Sequence, residues 1–213
     1  MKLGTLAAMW RYPTKSLRPE TLRETIVTDG GIPGDRERAL IVQDGHVRLG
    51  KSYRGKENDR LHTVTDTDEA LELAAKRGVT LEVISDGADA HYFDAAPISI
   101  IVDRWLDDLS TFVGYRVAPV RFRPNFFIET PETFAFEEAA LIDRELKLGD
   151  VALLVRKSIG RCVTPTYDPS GGKSDPEILR YIALNRDNQM GIYCDVLRAG
   201  TVRIGDSLEL VER

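Results

Sequence analysis

The residue with the most chemical potential is Cys162, in the stretch Gly160-Arg161-Cys162-Val163-Thr164-Pro165-Thr166-Tyr167-Asp168-Pro169. It follows the apolar run Val151-Ala152-Leu153-Leu154-Val155, so a strand is expected to deliver a lone thiol into a Pro-rich loop with Arg156, Lys157 and Arg161 close in sequence. A thiolate is a soft metal ligand and a strong nucleophile, and it forms most readily beside cations. The plain alternative is a small buried hydrophobe, the usual fate of a free cysteine.

Three further segments carry charge in useful places. Lys15 and Ser16, in Arg11-Tyr12-Pro13-Thr14-Lys15-Ser16-Leu17, offer a point charge and a hydroxyl suited to a phosphate, although the glycines of a nucleotide-binding loop are missing. Gly30-Gly31-Ile32-Pro33-Gly34-Asp35-Arg36 specifies a tight turn. Arg36 either pairs with Asp35 or aims a planar fork at a phosphate or carboxylate. In Arg121-Phe122-Arg123-Pro124-Asn125-Phe126 the two arginines are expected on one face of a strand, facing water or an anion. Asn125 can both donate and accept, as recognition of a heteroaromatic edge requires.

Other polar residues read as structural. His46, His62 and His91 are scattered and are expected at the surface or in structural roles. The acid pairs Asp107-Asp108 and Glu137-Glu138 are expected to be solvated, because consecutive residues do not face each other. Cys194 alternates within a strand pattern and belongs in a core.

Composition narrows the classes. The chain has 213 residues, 42% hydrophobic and 30% charged, an ordinary globular balance. A net charge of −5 argues against a nucleic-acid partner, which needs a basic face. With two cysteines and three histidines there is no zinc, haem or iron–sulfur motif, and no four-thiolate cluster is possible. The N-terminus lacks a signal-peptide core and no apolar stretch is long enough for a membrane span, so a cytoplasmic protein with no membrane partner is expected.

Positioning elements are mostly short strands. Candidates are 3–10, 22–28, 39–43, 79–84, 98–102, 116–122, 126–129, 151–156, 191–197 and 207–211, several with alternating polarity. Leu148-Gly149-Asp150-Val151 and Ile204-Gly205-Asp206-Ser207 each read as a Gly-Asp turn feeding a strand, which favours a barrel or sandwich. Three helices are expected: 67–77; 104–113, with Asp103 as N-cap; and 176–186, with Asp175 as N-cap and Pro176 in the first position. Ile178, Tyr181, Ile182 and Leu184 would form the apolar stripe of the last. The charged segment Gly50–Arg60 reads as a mobile surface loop rather than a lid.

In order, Arg11-Tyr12-Pro13-x-Lys15-Ser16, Gly34-Asp35-Arg36, Arg121-Phe122-Arg123-Pro124-Asn125, Arg161-Cys162-x-x-Pro165-Thr166-x-Asp168-Pro169 and Gly200-x-Val202-Arg203-Ile204-Gly205-Asp206 resemble the MOSC family, named for the C-terminal domain of molybdenum cofactor sulfurases. The N-terminal pieces resemble the β-rich subdomain found in the amidoxime-reducing branch. The resemblance implies a mainly β fold: a MOSC-type barrel at 91–213, an N-terminal β-rich subdomain at 1–90 and about three short peripheral helices. It implies a molybdopterin cofactor, with Cys162 as metal ligand and catalytic residue. Lys15, Ser16, Arg36, Ser99, Arg123, Asn125 and Arg161 would hold the cofactor. The reductase branch implies small N-hydroxylated substrates and a separate flavin or iron–sulfur electron donor. A different role in the same family is sulfur carriage or cofactor delivery on Cys162, and a third is a relative without catalysis. Pyridoxal phosphate, linked to the sulfurases, is not supported, because no lysine stands in a Schiff-base context.

Overall fold

The computed structural model describes residues 1–85 and 92–211. His91 and the expected boundary between residues 90 and 91 lie outside the described residues.

Twelve strands and three helices follow in chain order. They are β1 (Lys2–Arg11), β2 (Glu20–Leu22), β3 (Glu24–Val27), β4 (Ala39–Asp44), α1 (Thr67–Ala75), β5 (Thr80–Ile84), β6 (Ile98–Val102), α2 (Asp103–Val113), β7 (Phe126–Glu129), β8 (Glu145–Leu148), β9 (Val151–Gly160), α3 (Pro176–Asn185), β10 (Gln189–Arg198), β11 (Gly200–Arg203) and β12 (Ser207–Leu210). Among the described residues, β12, β8, β9, β10, β6, β7 and β1 pair in that order, and β12 pairs back onto β1. The result is a closed seven-stranded barrel, with β2 added on the outer side of β1. Closure removes the open edges that a sheet of this size would otherwise expose.

Burial of apolar side chains drives the closure. Leu3, Leu6 and Met9 of β1, Ile98 and Ile100 of β6, and Leu146 and Leu148 of β8 all enter one core. Each such side chain contributes roughly 1.5–3 kcal/mol on burial. α2 covers this core with Trp105, Leu106 and Leu109, and α3 does so with Ile178 and Ile182. A second core gathers Leu17, Leu40, Val42, Tyr53, Leu61, Val64, Ala70, Ala74 and Val79 around the β4–β5 hairpin and α1.

One pairing sets the site. β6 and β7 are parallel, with Ile100 beside Phe126, and are joined through α2. Their N-terminal ends therefore lie side by side. β1 runs antiparallel to β7, so its C-terminal end reaches the same place, with Met9 opposite Phe126.

Several expectations are corrected. The expected strand 116–122 is instead a 3-10 turn over Pro119–Phe122, with proline in its first position. Arg121 and Arg123 therefore do not share a strand face. The strand expected over 22–28 is split into β2 and β3, and β3 leaves to pair with β11. Asp103 is the first residue of α2 and not its cap; its carboxylate accepts from Arg104 N and from the backbone and hydroxyl of Thr130. Leu184 is 71% exposed and lies off the apolar stripe of α3. Glu138 is buried, not solvated, and accepts from Arg186 and from Gly191 N.

Candidate active site

The barrel mouth holds a cavity of about 160 Å³. Its wall includes Lys15, Ser16, Arg36, Ser99, Arg123, Asn125, Arg161 and Cys162, residues drawn from segments far apart in sequence. Arg54, His62, Asp94, Thr164 and Tyr193 also line it.

Behind Arg36 and Arg123 on that wall lies Tyr12, fully buried just past β1. The Arg123 guanidinium lies 4.2 Å from its ring centroid and that of Arg36 lies 4.5 Å away. Two cations on one aromatic ring are held by its π face. Tyr12 Oη donates to Pro124 O at 3.0 Å, and Tyr12 N donates to Asp35 Oδ1 at 2.7 Å. Burial raises the Tyr12 pKa above its ordinary value, against the lowering fields of Arg123 and Arg36.

Asp35 is the matching counter-charge. It is buried, pairs with Arg36, and accepts from Asn125 Nδ2 at 3.1 Å. Burial opposes the charge on Arg36, but Asp35 beside it more than compensates and raises its pKa. The two readings of Arg36 thus coexist: it pairs with Asp35 and it lines the cavity.

Asn125 joins the strand ends. Its Oδ1 accepts from Ser99 N at 3.0 Å and from Ser99 Oγ at 2.9 Å, and its N donates to Ser99 Oγ at 3.1 Å. Trp10 N donates to Asn125 O at 2.9 Å. Ser99 and Asn125 therefore lock β6, β7 and β1 together beneath the arginines.

Arg123 donates from Nη1 to Leu17 O at 2.7 Å, while its Nη2 is buried without a hydrogen-bond partner. Burial lowers its pKa to about 10, which leaves it charged at neutral pH. His62 is buried beside it, with Nδ1 3.5 Å from Arg123 Nη1, its ring stacked on Tyr167 at 5.2 Å, and Nε2 unpartnered. Burial, then the Arg123 charge, pushes its pKa down to about 3, so the ring is neutral. Sequence reading placed His62 among surface or structural residues. Its isolation from other chemical motifs offered no signal for the cavity.

On the opposite side, β9 ends at Gly160 and the chain turns outward. Arg161 holds the turn down: Nε donates to Met190 O at 2.6 Å, Nη1 donates to Phe122 O at 2.9 Å, and the guanidinium lies 5.1 Å from the Phe122 ring centroid. Burial lowers its pKa to about 10. Cys162 is exposed, with Sγ 3.2 Å from Thr164 Oγ1. Of its basic sequence neighbours only Arg161 reaches the cavity, since Arg156 pairs with Asp195 on the surface. Arg121 turns away as well, donating to the carbonyls of Thr166 and Tyr167 and pairing with Asp168 at 3.5 Å. It thereby braces the loop after Cys162. Cys194 is buried in β10, as its alternation required.

Lys15 Nζ pairs with Asp94 at 2.6 Å, and Ser16 is 7% exposed. Among the described residues, six non-glycine residues have positive φ, and three of them, Ser16, Arg36 and Arg123, line the cavity at 75°, 54° and 53°. Side chains seldom adopt this region unless the surroundings enforce it, and such positions cluster at binding and catalytic sites.

These features define what the cavity suits. Five cations face it, and unpaired donors on Arg123 and Arg54 stand in its wall. Buried donors are nearly always satisfied, so the wall fits an acceptor-rich anion. Among the described residues no three His, Cys, Asp or Glu side chains converge on a metal position.

The chain is similar to several known proteins. The family model described as "MOSC domain" matches residues 87–209. The mitochondrial amidoxime reducing component 2 of Rattus norvegicus is 34% identical over 96% of this chain and 82% of its own length. The Homo sapiens protein of the same name is 28% identical over 96% of this chain and 83% of its own. The crystal structure of the YUAD protein of Bacillus subtilis superposes with a TM-score of 0.58, covering 97% of this chain and 94% of that one at 19% identity.

Proposed function

The chain belongs to the MOSC domain family, is homologous to the amidoxime reducing components and has the family's fold, and from that premise we propose that it is a molybdenum-cofactor oxidoreductase. Its substrates are small N-hydroxylated or related compounds, reduced at a metal ligated by Cys162. The observation that carries this reading is the exposed thiol of Cys162 on the wall of a cavity whose buried arginine donors lack an acceptor.

When bound, the molybdopterin cofactor would supply dithiolene sulfurs and a metal capable of two-electron exchange with the substrate. The chain's own residues do the rest. Cys162 offers the protein thiolate. Arg161 fixes the start of its loop to Met190 and Phe122, and Arg121 fixes the end. Thr164 Oγ1 can donate to the sulfur at 3.2 Å and so steady its orientation. Lys15, Ser16, Arg36 and Arg123 would take the anionic part of the cofactor. Ser99 and Asn125 act on it through Asp35, which sets Arg36. Five cations at one cavity are only partly offset by Asp35 and Asp94, and an anionic ligand relieves the repulsion that remains.

Substrate reduction consumes two electrons. The chain has two cysteines and no glycine-rich nucleotide fingerprint, so a separate flavin or iron–sulfur protein is proposed as donor. Both cysteines are free, which suits a reducing compartment such as the cytoplasm. Among the described residues no helix is long and apolar enough to cross a membrane. The residues through 90 would form the N-terminal subdomain and those from 91 the MOSC domain, with β1 and β3 crossing over to pair with strands of the latter.

The test is protein purified from a host that makes the cofactor. It should contain molybdenum and pterin in equal amounts, and should reduce an N-hydroxylated substrate with an artificial one-electron donor. Absence of molybdenum would sink the reading. Full metal loading with no turnover from any donor, together with labile sulfur released from Cys162, would move the assignment to sulfur carriage.

A further inference from the structure

Arg54 comes from Gly50–Arg60, the segment that composition alone assigns to mobile surface. Its backbone is pinned on both sides. Tyr53 is buried in the second core and donates from N to Leu40 O at 2.7 Å. Glu57 N and Asn58 N donate to Arg54 O at 2.9 and 3.1 Å, and Arg54 N donates to Glu57 Oε2 at 3.0 Å. Gly55 follows, pressed against the imidazole so closely that a Cβ there would overlap His62 Nε2. A glycine is required at that contact, and it sets Arg54 beside His62 on the cavity wall.

The guanidinium is incompletely used. The side chain is 38% exposed overall, yet its Nε and Nη2 are shielded and have no hydrogen-bond partner. Glu57 Oε1 stands 3.6 Å from Nη2, beyond hydrogen-bonding distance. Arg123 Nη2 and His62 Nε2 on the same wall are also unpaired. The fields of Lys15, then Arg36, then Arg54 hold the neighbouring Asp94 carboxyl below its ordinary pKa against the effect of burial, so these cations act on one small region. A planar fork with two idle donors, among other cations around a cavity, matches the oxygens of a phosphate group.

We propose that Arg54 binds an oxyanion in this cavity, and that in the assembled protein it contacts the phosphate of the cofactor together with Lys15 and Arg123. The second half rests on the cofactor reading above. The first half is measurable without it.

The full chain, made in a host unable to synthesise the cofactor, is titrated with inorganic phosphate at constant ionic strength, by calorimetry and by thermal melting. The wild-type protein should bind phosphate and melt at higher temperature in its presence. Arg54→Gln should weaken binding about tenfold, the scale of one lost charged hydrogen bond. Arg54→Lys should recover part of the affinity, having charge but no fork. Glu57→Gln removes the partial counter-ion and should bind phosphate at least as tightly as wild type. Wild-type affinity in Arg54→Gln, or no phosphate binding by the wild-type chain, overturns the proposal. If Arg54→Gln does not fold, Arg54→Lys decides, and undiminished affinity there overturns it equally. Phosphate binding that depends on Arg54, together with no molybdenum in protein purified from a cofactor-producing host, would uphold the oxyanion site and refute the cofactor reading instead.

Discussion

The Arg123 guanidinium sits 4.2 Å from the ring centroid of Tyr12, a side chain with no contact to solvent. Arg36 shares the ring, so one aromatic plane carries two of the charges that face the cavity. Tyr12→Phe should keep the plane and lose only the bond to Pro124 O, at a cost of about 1 kcal/mol in stability. Tyr12→Leu should cost about 2–4 kcal/mol and also lower molybdenum occupancy, because both arginines lose their support. Thermal melts and metal-to-protein ratios of the two variants check this; equal occupancy in both would refute it.

The two cysteines should separate cleanly. Cys162→Ala alters an exposed loop residue, so the melting temperature should barely move while the thiolate signal at molybdenum and the turnover disappear. Cys194→Ala opens a small void in the core and should cost roughly 1 kcal/mol with turnover retained. X-ray absorption at the molybdenum edge, alongside denaturant melts, distinguishes the two. Unchanged metal–sulfur scattering in Cys162→Ala would falsify the ligand assignment.

Arg36→Ala should reduce cofactor retention by about 1.5–3 kcal/mol, the value of a charged hydrogen bond, and should destabilise the fold as well by leaving Asp35 buried without its cation. Arg36→Lys should restore only part of the retention. Asp35→Asn, which keeps shape but not charge, should raise the mobility of Arg36 and lower retention to a smaller extent. Cofactor release measured under dilution orders the three variants, and identical release rates would contradict the geometry.

His62 predicts a pH dependence of stability. Its ring is neutral in the folded protein down to about pH 3, whereas in the unfolded chain it titrates near 6.5. Between those values the unfolded chain takes up a proton that the native state refuses. Stability is therefore fully present above about pH 6.5 and falls as pH drops toward 3, by roughly 1.4 kcal/mol per unit from this group alone. His62→Gln should show a shallower acid decline than wild type over that window. Parallel decline in the two proteins would show that the imidazole is not shielded as described.

Turnover should need a second protein. The purified chain alone should not oxidise NADH or NADPH in the presence of an N-hydroxylated substrate, while an artificial donor should bypass the requirement. Nicotinamide oxidation by the isolated chain, followed by absorbance, would contradict the donor proposal.

The legible parts of the fold were those governed by local pattern. Asp175 followed by Pro176 marked the start of α3, and Gly114 marked the end of α2, because capping chemistry is local. Residues 98–102 and 126–129 matched β6 and β7, where nearly every position is buried. The turn at Pro119–Phe122 was hidden because Val120 and Phe122 alternate with arginines, a pattern that mimics a strand, while Pro119 favours a helical start. Burial of Glu138 depended on Arg186 and Gly191, both about fifty residues away. The cavity was legible where motifs carried it, as at Cys162 and Lys15. It was illegible where a neighbour supplied the reason: Arg54 owes its position to Gly55 against His62, and no spacing rule encodes that contact.

The β1–β12 seam has a consequence for biogenesis. Lys2 pairs with Glu209 and Thr5 with Ser207, so β1 must wait for β12 before the ring can shut. Contacts this distant in the chain slow folding, since the connecting polypeptide must be ordered before they form. While the ribosome is still translating, β1 has β7 and β2 to lean on but lacks its other neighbour. Tyr12, which carries the two arginines, follows directly from that strand. The cavity wall that Tyr12 supports is thus tied to a strand whose ring shuts late in folding.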